Sequence, residues 1–368
     1  MNDQVKELLQ QLVLRNGSDL HLAAGCKPLL RIHGTLVPLP DSQPLDADAI
    51  VSLLREMIGA KGLEELDRTW EHDSAISFEG GFRLRINAYR QQDTYAAAIR
   101  LLPNRFFDLE ELGLPMAVLN RVCRLTSGLV LVTGATSSGK STTIASVVHQ
   151  INKTRACHIH TIEDPVEYRH ESMKAFVTQR EVGRDTVSFA EALRRSMRED
   201  PDVIVIGEMR DLDTMSAAMT LAETGHLTFA TLHTSTAPQT ISRIVSAYPA
   251  AQQAQARVQL GSTLQYVICQ QLVPWDNGSG RSLAAEVLGV TPAVRAMIRE
   301  EKSHQIRTVI QTSYDAGMRT LVQSLQELIA ARRISRETAA RICDSEGSYG
   351  ASDARFLASG STEPDPAE

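Results

Sequence analysis

Cysteines and long apolar runs are scarce in this sequence, and each shortage excludes a class of protein. The five cysteines are widely spaced and never form a Cys-x-x-Cys pair, which argues against a disulfide framework or a zinc site. No apolar run approaches the roughly 18 residues of a membrane span, and the N-terminus has no signal-peptide pattern. We therefore expect a soluble protein without a transmembrane segment, in the reducing cytosol.

Basic residues are fewer than acidic ones, and aromatic side chains are rare. Both facts limit the kinds of partner that the protein can bind. The chain has 38 lysines and arginines against 44 aspartates and glutamates, and only 5% of its residues are aromatic. A surface for nucleic acid would need basic or stacking side chains, so we expect no nucleic-acid partner. The remainder is ordinary globular material, and 368 residues with 43% apolar content suggest roughly two domains.

The clearest motif lies in the stretch from Leu129 to Ile144. An apolar run up to Thr133 predicts a short buried strand, and a helix-forming segment begins at Lys140. The loop between them is a complete P-loop, in which glycines let backbone N–H groups turn toward phosphate oxygens. The predicted nucleotide-binding residues are Gly134, Ala135, Thr136, Ser137, Ser138, Gly139, Lys140, Ser141 and Thr142. In such loops the lysine reaches the β- and γ-phosphates and the serine hydroxyl is placed for Mg²⁺.

Two further strands deliver carboxylates at their ends. The strand from His158 leads to Glu163, and the apolar strand from Asp202 leads to Glu208. Such strands alternate with helices, which predicts a parallel sheet covered on both faces, with ligands at the carboxyl ends of its strands. Beside a P-loop, a carboxylate there can hold Mg²⁺ or align and deprotonate the attacking water. We predict Glu163 and Glu208 as catalytic residues and, with Ser141, as metal ligands; which carboxylate is the base stays open.

Histidines and arginines complete the candidate site in this half of the chain. His226 and His233 bracket another buried strand and mark its two ends. Either could sense a γ-phosphate or cap backbone groups, and composition alone favours capping. Arg194 and Arg198 are predicted one turn apart on one face of a helix that Pro201 ends.

The first 100 or so residues predict a separate α+β domain, with two helices and short antiparallel strands. From Gly81 to Phe107 it carries five arginines against one acid. On a strand, Arg83 and Arg85 share one face, which is either a solvated outer surface or a wall that faces an anion. From the residues alone, the solvated surface is favoured.

Together these motifs resemble those of the secretion-type hexameric ATPases, and within them the retraction ATPases of type IV pili. The similar segments, which run in the family's order over residues 1 to about 343, are Ser18–Leu22, the P-loop, Thr161–Tyr168, Glu199–Asp211 and Thr224–Thr234. The four-cysteine zinc module that pilus-assembly motors usually carry is absent from the sequence. A further segment, Ala293–Glu300, looks like one specific to retraction motors, with changes at three positions.

The resemblance implies an α/β fold with a PAS-like N-terminal domain over residues 1–100, a linker over 101–115, and a RecA-like domain with a helical C-terminal part over 116–345. Residues 346–368 are small, acidic and proline-containing, which predicts a disordered tail. The resemblance also implies a homohexamer with ATP and Mg²⁺ bound between domains. Arg85 and Arg100 match the arginines that approach the phosphates, and Arg194 and Arg198 match a pair in the RecA-like domain.

The function implied by the resemblance is an ATPase motor that retracts a type IV pilus and so drives twitching motility. Its partners would be an inner-membrane platform protein and a paralogous retraction ATPase, at the cytoplasmic face of the inner membrane. The alternative is a nucleotide-gated accessory paralogue that hydrolyses ATP weakly and modulates a partner pilus or secretion motor. The intact set of Lys140, Glu163 and Glu208 favours the enzyme.

The segment Ala293–Glu300 predicts a helix with an apolar stripe, because Val294 and Ile298 are four residues apart. Arg295 and Arg299 then share another face. Those charges are either solvated, as on any amphipathic helix, or they meet a neighbouring subunit or the platform protein, and we expect the second.

Overall fold

The structure is a computed structural model that describes residues 3–32, 35–102, 105–278 and 280–345, together with 353, 355, 357 and 358. Its chain divides into two compact units, one of Met1–Arg105 with Pro165–Arg169 and one of Phe106–Asp164 with His170–Glu368. The boundary at Arg105 falls inside the predicted linker. No pattern in the sequence indicates that the short segment Pro165–Arg169 belongs to the first unit.

The first unit packs two helices against an antiparallel sheet. Its elements are α1 (Asp3–Leu14), β1 (Asp19–Ala23), β2 (Leu29–Ile32), β3 (Thr35–Pro38), α2 (Ala47–Thr69), β4 (Glu71–Ser77), β5 (Arg83–Gln91) and β6 (Thr94–Leu102). The strand order over the described residues is β3-β2-β1-β6-β5-β4. The core lies between the helices and one sheet face, where Leu9, Leu20 and Ile86 are fully buried. The opposite face carries the arginines, as the alternation in β5 predicted.

The second unit is an α/β domain followed by further helices. Its elements are α3 (Met116–Arg124), β7 (Gly128–Thr133), α4 (Lys140–Thr154), β8 (His158–Glu163), β9 (Phe176–Glu181), α5 (Phe189–Ser196), β10 (Val203–Ile206), α6 (Leu212–Glu223), β11 (Leu227–Leu232), α7 (Ala237–Ser246), α8 (Gln253–Thr263), β12 (Leu264–Pro274), β13 (Arg281–Gly289), α9 (Pro292–Arg299), α10 (Ile306–Thr312), α11 (Leu321–Ala330) and α12 (Arg336–Ser345). Among the described helices of both units, none combines the length and the apolar character needed to cross a membrane.

The sheet of the second unit has the order β13-β12-β7-β11-β10-β8-β9 over the described residues. Its strands are parallel except for the antiparallel pair β12 and β13. Alternate residues of β7 enter two different cores, since Leu129 and Leu131 pack in one apolar cluster and Val130 and Val132 in another. The sheet is therefore covered on both faces, and the predicted α/β fold class is confirmed.

The prediction that Arg194 and Arg198 share a helix face is wrong. Helix α5 begins at its Ser188 cap as expected, but it ends at Ser196. The chain turns there, and Asp200 adopts a left-handed backbone conformation with φ of 53°. Arg198 thus lies in the turn after the helix.

The prediction that both arginines of Ala293–Glu300 lie on an available face is also wrong. The helix itself is present as α9, and Val294 and Ile298 are fully buried. Arg295, however, is half-buried and donates hydrogen bonds to the carbonyl oxygens of Gly261 and Ser262 in α8. Only Arg299 is exposed, because α8 packs against one side of the charged face.

Most of the predicted disordered tail lies outside the described residues. Four positions within it are described, namely Asp353, Arg355, Leu357 and Ala358, and all four are helical. Leu357 is 1% exposed and packs in an apolar cluster with residues of α11 and α12, while Asp353 forms an ion pair with Arg307 of α10. These four residues depart from the predicted disorder, because an apolar side chain and a carboxylate both find partners on the C-terminal helices.

Candidate active site

The P-loop joins the end of β7 to the start of α4 and requires glycine at two positions. A Cβ atom on Gly134 would lie 2.2 Å from the carbonyl oxygen of Gln270, on the neighbouring strand β12. Gly139 has φ of 92°, a left-handed conformation that side-chain-bearing residues rarely adopt. The loop therefore packs against β12 and turns sharply into the helix, as the motif predicted.

The interior of this loop is suited to an anion. The ammonium group of Lys140 folds over the loop and donates to the carbonyl oxygens of Gly134 and Ala135 at 2.7 and 2.8 Å. The hydroxyl of Ser138 is buried and has no hydrogen-bond partner among the described residues. The N-terminal end of α4 adds its positive dipole at the same place. A lysine charge, an unsatisfied hydroxyl and a helix N-terminus together fit the phosphates of a nucleotide.

The strand order brings the predicted side chains to one edge of the sheet. The P-loop follows β7, His233 follows β11, Glu208 follows β10, and Glu163 ends β8. Neighbouring strands lie about 4.8 Å apart, so the strands that carry His233, Glu208 and Glu163 lie roughly 5, 10 and 14 Å from the P-loop strand. His233 and Glu208 thus follow strands nearer to the P-loop strand than the strand of Glu163.

Glu208 is held on both sides of its carboxylate. The guanidinium of Arg210 donates to Oε2 at 2.9 Å, and Nε2 of His233 lies 3.0 Å from Oε1. Burial acts to raise the pKa of Glu208, but the hydrogen bond and charge of Arg210 and the interaction with His233 bring it below its ordinary value. The carboxylate is therefore ionised at neutral pH, which both a metal ligand and a base for water require.

Arg210 is a functional candidate that the sequence reasoning missed. The pairing also raises the pKa of Arg210, chiefly through its hydrogen bond to Glu208. The available signal was the Glu-x-Arg spacing directly after an apolar strand, since such a pair lies at one edge of the sheet.

The two predicted histidines are far apart. His226 lies before β11, where Nδ1 is 3.0 Å from the carbonyl oxygen of Leu221 and 3.1 Å from Oγ1 of Thr224. Those contacts cap the end of α6, as composition favoured. His233 lies after β11, and at about 3.3 Å per residue the six-residue strand separates the two histidines by roughly 20 Å. The structure therefore brings only His233 to the edge that carries the P-loop.

Glu163 and Arg194 have other partners in this unit. The Oε1 atom of Glu163 accepts hydrogen bonds from Thr161 at 2.7 Å and from Gln179 at 3.2 Å. Arg194 forms an ion pair with Glu191 at 2.9 Å, within its own helix. Among the described residues, no group of three or more His, Cys, Asp or Glu side chains has the arrangement of a metal site. The assignment of Ser141, Glu163 and Glu208 to Mg²⁺ stays a prediction.

In the first unit, Arg85 and Arg100 are register partners on β5 and β6. Arg100 donates to Asp19 at 2.8 Å, and Arg85 lies 3.6 Å from Asp73. Burial acts to raise the pKa of Asp19, but hydrogen bonds from Arg100 and Ser18 lower it below the ordinary value. Both guanidinium groups remain about half exposed. The Ser18–Leu22 motif thus supplies the carboxylate that orients Arg100 on a two-arginine face.

Comparison with known proteins shows the family of this chain. The family model described as "Type II/IV secretion system protein" matches residues 2–341. The type IV pilus retraction ATPase PilT of Pseudomonas aeruginosa is 44% identical over 91% of this chain and 96% of its own length. A twitching motility protein of Neisseria gonorrhoeae is 40% identical over 92% of this chain and 90% of its own.

A solved structure gives the same result at the level of the fold. The crystal structure of the pilus retraction motor PilT with bound ADP superposes with a TM-score of 0.84 at 44% identity, and the match covers 90% of this chain and 95% of that one. The family match and the two relatives extend across both units. The chain belongs to the family of type II/IV secretion system proteins.

Proposed function

We propose that this protein is a hexameric ATPase that hydrolyses ATP to drive the retraction of a type IV pilus. The observation that carries the proposal is the ionised Glu208, held by Arg210 and His233 two strand ends from the P-loop lysine. The PilT relative is named a retraction ATPase, and a PilT structure holds ADP. Both support a nucleotide in this loop.

The residues of the P-loop have distinct roles in this proposal. Backbone N–H groups between Gly134 and Thr142 surround the phosphates, and Lys140 moves from the loop carbonyls to the terminal phosphates, which offer its ammonium group a full negative charge. Ser141, whose side chain is exposed at the start of α4, would hold Mg²⁺. When bound, Mg²⁺ neutralises charge that develops on the phosphate oxygens.

Glu208 orients the attacking water and accepts its proton. The contacts with Arg210 and His233 fix both carboxylate oxygens, so the group needs little reorganisation during reaction. His233 stands on the strand between β7 and β10, with its side chain 46% exposed. It is therefore placed to report the presence of a terminal phosphate to Glu208. Glu163 serves at the next strand end as a second carboxylate.

The two-arginine face of the first unit acts on a nucleotide in the assembled ring. Arg85 and Arg100 are each steadied by one carboxylate and about half exposed, which keeps their remaining N–H donors available to an anion. An arginine that stabilises the transition state of phosphoryl transfer contributes roughly 10³ to 10⁵ in rate. Force would pass to an inner-membrane platform protein at the cytoplasmic face, and a paralogous retraction ATPase would be a further partner.

The test is nucleotide turnover by the purified protein and by two variants. Lys140→Ala should lose nucleotide binding, whereas Glu208→Gln should bind ATP and hydrolyse it about 10²- to 10⁴-fold more slowly. Glu337→Gln, on the exposed side of α12, makes the same chemical change away from the site and should be normal. Wild-type turnover by Glu208→Gln would overturn its role, and a wild-type protein without turnover would favour the accessory alternative.

The pilus itself is tested in cells. A strain that lacks this protein should be hyperpiliated and should not twitch, and Glu208→Gln should not restore movement. Normal retraction in the deletion strain, with other retraction motors also deleted, would show that the motor serves another system.

A further inference from the structure

The segment Pro165–Arg169 leaves the second unit directly after the candidate carboxylate. It belongs to the first unit, whereas Asp164 before it and His170 after it belong to the second. Glu163 ends β8 one residue earlier. Any displacement of the segment would therefore pull on the backbone beside Glu163, unless the ends of the segment are fixed to the sheet.

One side chain joins the two ends of this segment. Gln179 lies on β9 opposite Thr161 of β8. Its Oε1 accepts a hydrogen bond from the backbone N–H of His170 at 2.7 Å, and its Nε2 donates to Oε1 of Glu163 at 3.2 Å. The orientation of the amide follows from chemistry, because a backbone N–H needs an acceptor and a carboxylate needs a donor.

The carboxylate is thereby held from two directions. Thr161 donates to the same Oε1 atom at 2.7 Å, so this oxygen receives one hydrogen bond from its own strand β8 and one from the neighbouring strand β9. A carboxylate with two donors on one oxygen has its rotation restricted, and its second oxygen is directed accordingly. Gln179 is the donor that does not belong to the strand of Glu163 itself.

The other end of the segment is fixed to the P-loop helix. The ring of His170 lies 4.6 Å from that of Phe106, and Phe106 stacks on His149 of α4 at 4.1 Å with an interplanar angle of 7°. The backbone N–H of Phe107 also donates to Ser146 of α4 at 3.2 Å. Gln179 therefore connects Glu163 to a residue that is anchored on the helix of the nucleotide site.

We propose that Gln179 is a positioning residue. Its hydrogen bonds to Glu163 and His170 join the chain on the two sides of Pro165–Arg169, and they keep the carboxylate of Glu163 oriented when this segment is displaced. The inference rests on the proposed function, because it assumes that Glu163 takes part in hydrolysis. It predicts that Gln179 affects the rate of the chemical step and leaves nucleotide binding unchanged, since the P-loop is untouched.

Steady-state kinetics of the full-length protein test the first expectation. Gln179→Leu removes both hydrogen bonds with little change in volume, and we expect kcat to fall about 10- to 100-fold while KM for ATP stays within about twofold. Gln311→Leu, on an exposed position of α10, is the matched control and should be normal. A rise in KM with unchanged kcat would contradict the positioning role.

The variant Gln179→Glu separates positioning from loose packing. Its carboxylate can still accept the hydrogen bond from the backbone N–H of His170, but when ionised it cannot donate to Glu163. We expect its kcat to fall about 10- to 100-fold, as in Gln179→Leu, while its KM for ATP stays within about twofold and Gln311→Glu is normal.

Three outcomes decide between the inference and its premise. If Glu163→Gln turns over like wild type, Glu163 has no role and the inference fails with that part of the proposed function. If Glu163→Gln is slow while both Gln179 variants have normal kcat, only the inference fails. If Gln179→Leu does not fold, as judged by its thermal transition, the near-isosteric Gln179→Glu decides through kcat and KM.

Discussion

Arg295 offers a sharp test of how the helices after the sheet are held together. Its guanidinium donates to the carbonyl oxygens of Gly261 at 2.7 Å and Ser262 at 2.6 Å, and to the side chain of Gln265 at 3.3 Å. Carbonyl groups in the last turn of a helix have no partner within the helix. A cation there also meets the negative end of the helix dipole. We therefore expect Arg295→Ala to destabilise the second unit.

The magnitude follows from the contacts. Hydrogen bonds to a charged group contribute about 1.5 to 3 kcal/mol, and a cation at a helix C-terminus contributes about 0.3 to 1 kcal/mol. Because Arg295 is only half-buried, water recovers part of this loss, which leaves about 2 kcal/mol. A change of 1 kcal/mol shifts Tm by about 2 to 4 °C in a unit of this size. The expected decrease is about 4 to 8 °C.

Thermal unfolding of three variants checks this reasoning. Arg299→Ala removes an exposed charge from the same helix and should change the free energy of unfolding by less than about 0.5 kcal/mol. Arg295→Lys should lie between, because an ammonium group cannot reproduce the fork of a guanidinium. Equal Tm values for Arg295→Ala and Arg299→Ala would refute the role of Arg295 as a cap of α8.

Arg299→Ala also tests whether the exposed charge of α9 transmits force to the pilus. For this variant we expect normal ATP turnover and a loss of twitching.

Three further predictions concern the ring, the first unit and the tail. Mixing Arg85→Ala subunits with Lys140→Ala subunits should restore some ATP turnover if the arginine serves a neighbour's site, and no recovery in demonstrably mixed rings would exclude that. Asp19→Asn should destabilise the first unit at neutral pH. The folded-state pKa of Asp19 is lowered below 3.8. The difference in free energy of unfolding between this variant and wild type should therefore persist above that pH and shrink as the pH falls below it. If urea unfolding gives a difference that is independent of pH, the ion pair with Arg100 is contradicted. Leu357→Asp should lower Tm by several degrees, since it buries a charge among apolar side chains, and an unchanged Tm would show that this position is not packed.

Local patterns predicted the fold class and the positions of the strand ends. The P-loop, Glu208 and His233 were found because each follows an apolar run, and an apolar run next to a turn is a local property of the chain. The order of the strands is not local, so the distances from the P-loop to Glu208 and Glu163 could not be read from the sequence.

Two of the misses share one physical origin, the choice of tertiary partner. Arg295 has the same helical spacing as Arg299, and only the position of α8 distinguishes the capping arginine from the exposed one. Gln179 belongs to no catalytic motif. It became a candidate only because β9 places it beside Glu163 and His170. The third miss, the end of α5 at Ser196, has a local origin, because the chain turns between the helix and Pro201.

The interior place of β7, with one neighbouring strand on each side, has a consequence for how the protein is made. The partners of β7 are β11 and β12, and both are synthesised long after it. About 140 residues separate the end of β7 from the end of β12, which at the usual pace of translation takes roughly 7 to 28 s. Until then the nascent chain holds an apolar strand without its native neighbours, and the loop after it lacks the Gln270 backbone against which it packs. ATP can therefore stabilise only chains that have been completed at least through β12, so a fragment that ends before Pro274 should remain a substrate for chaperones and proteases.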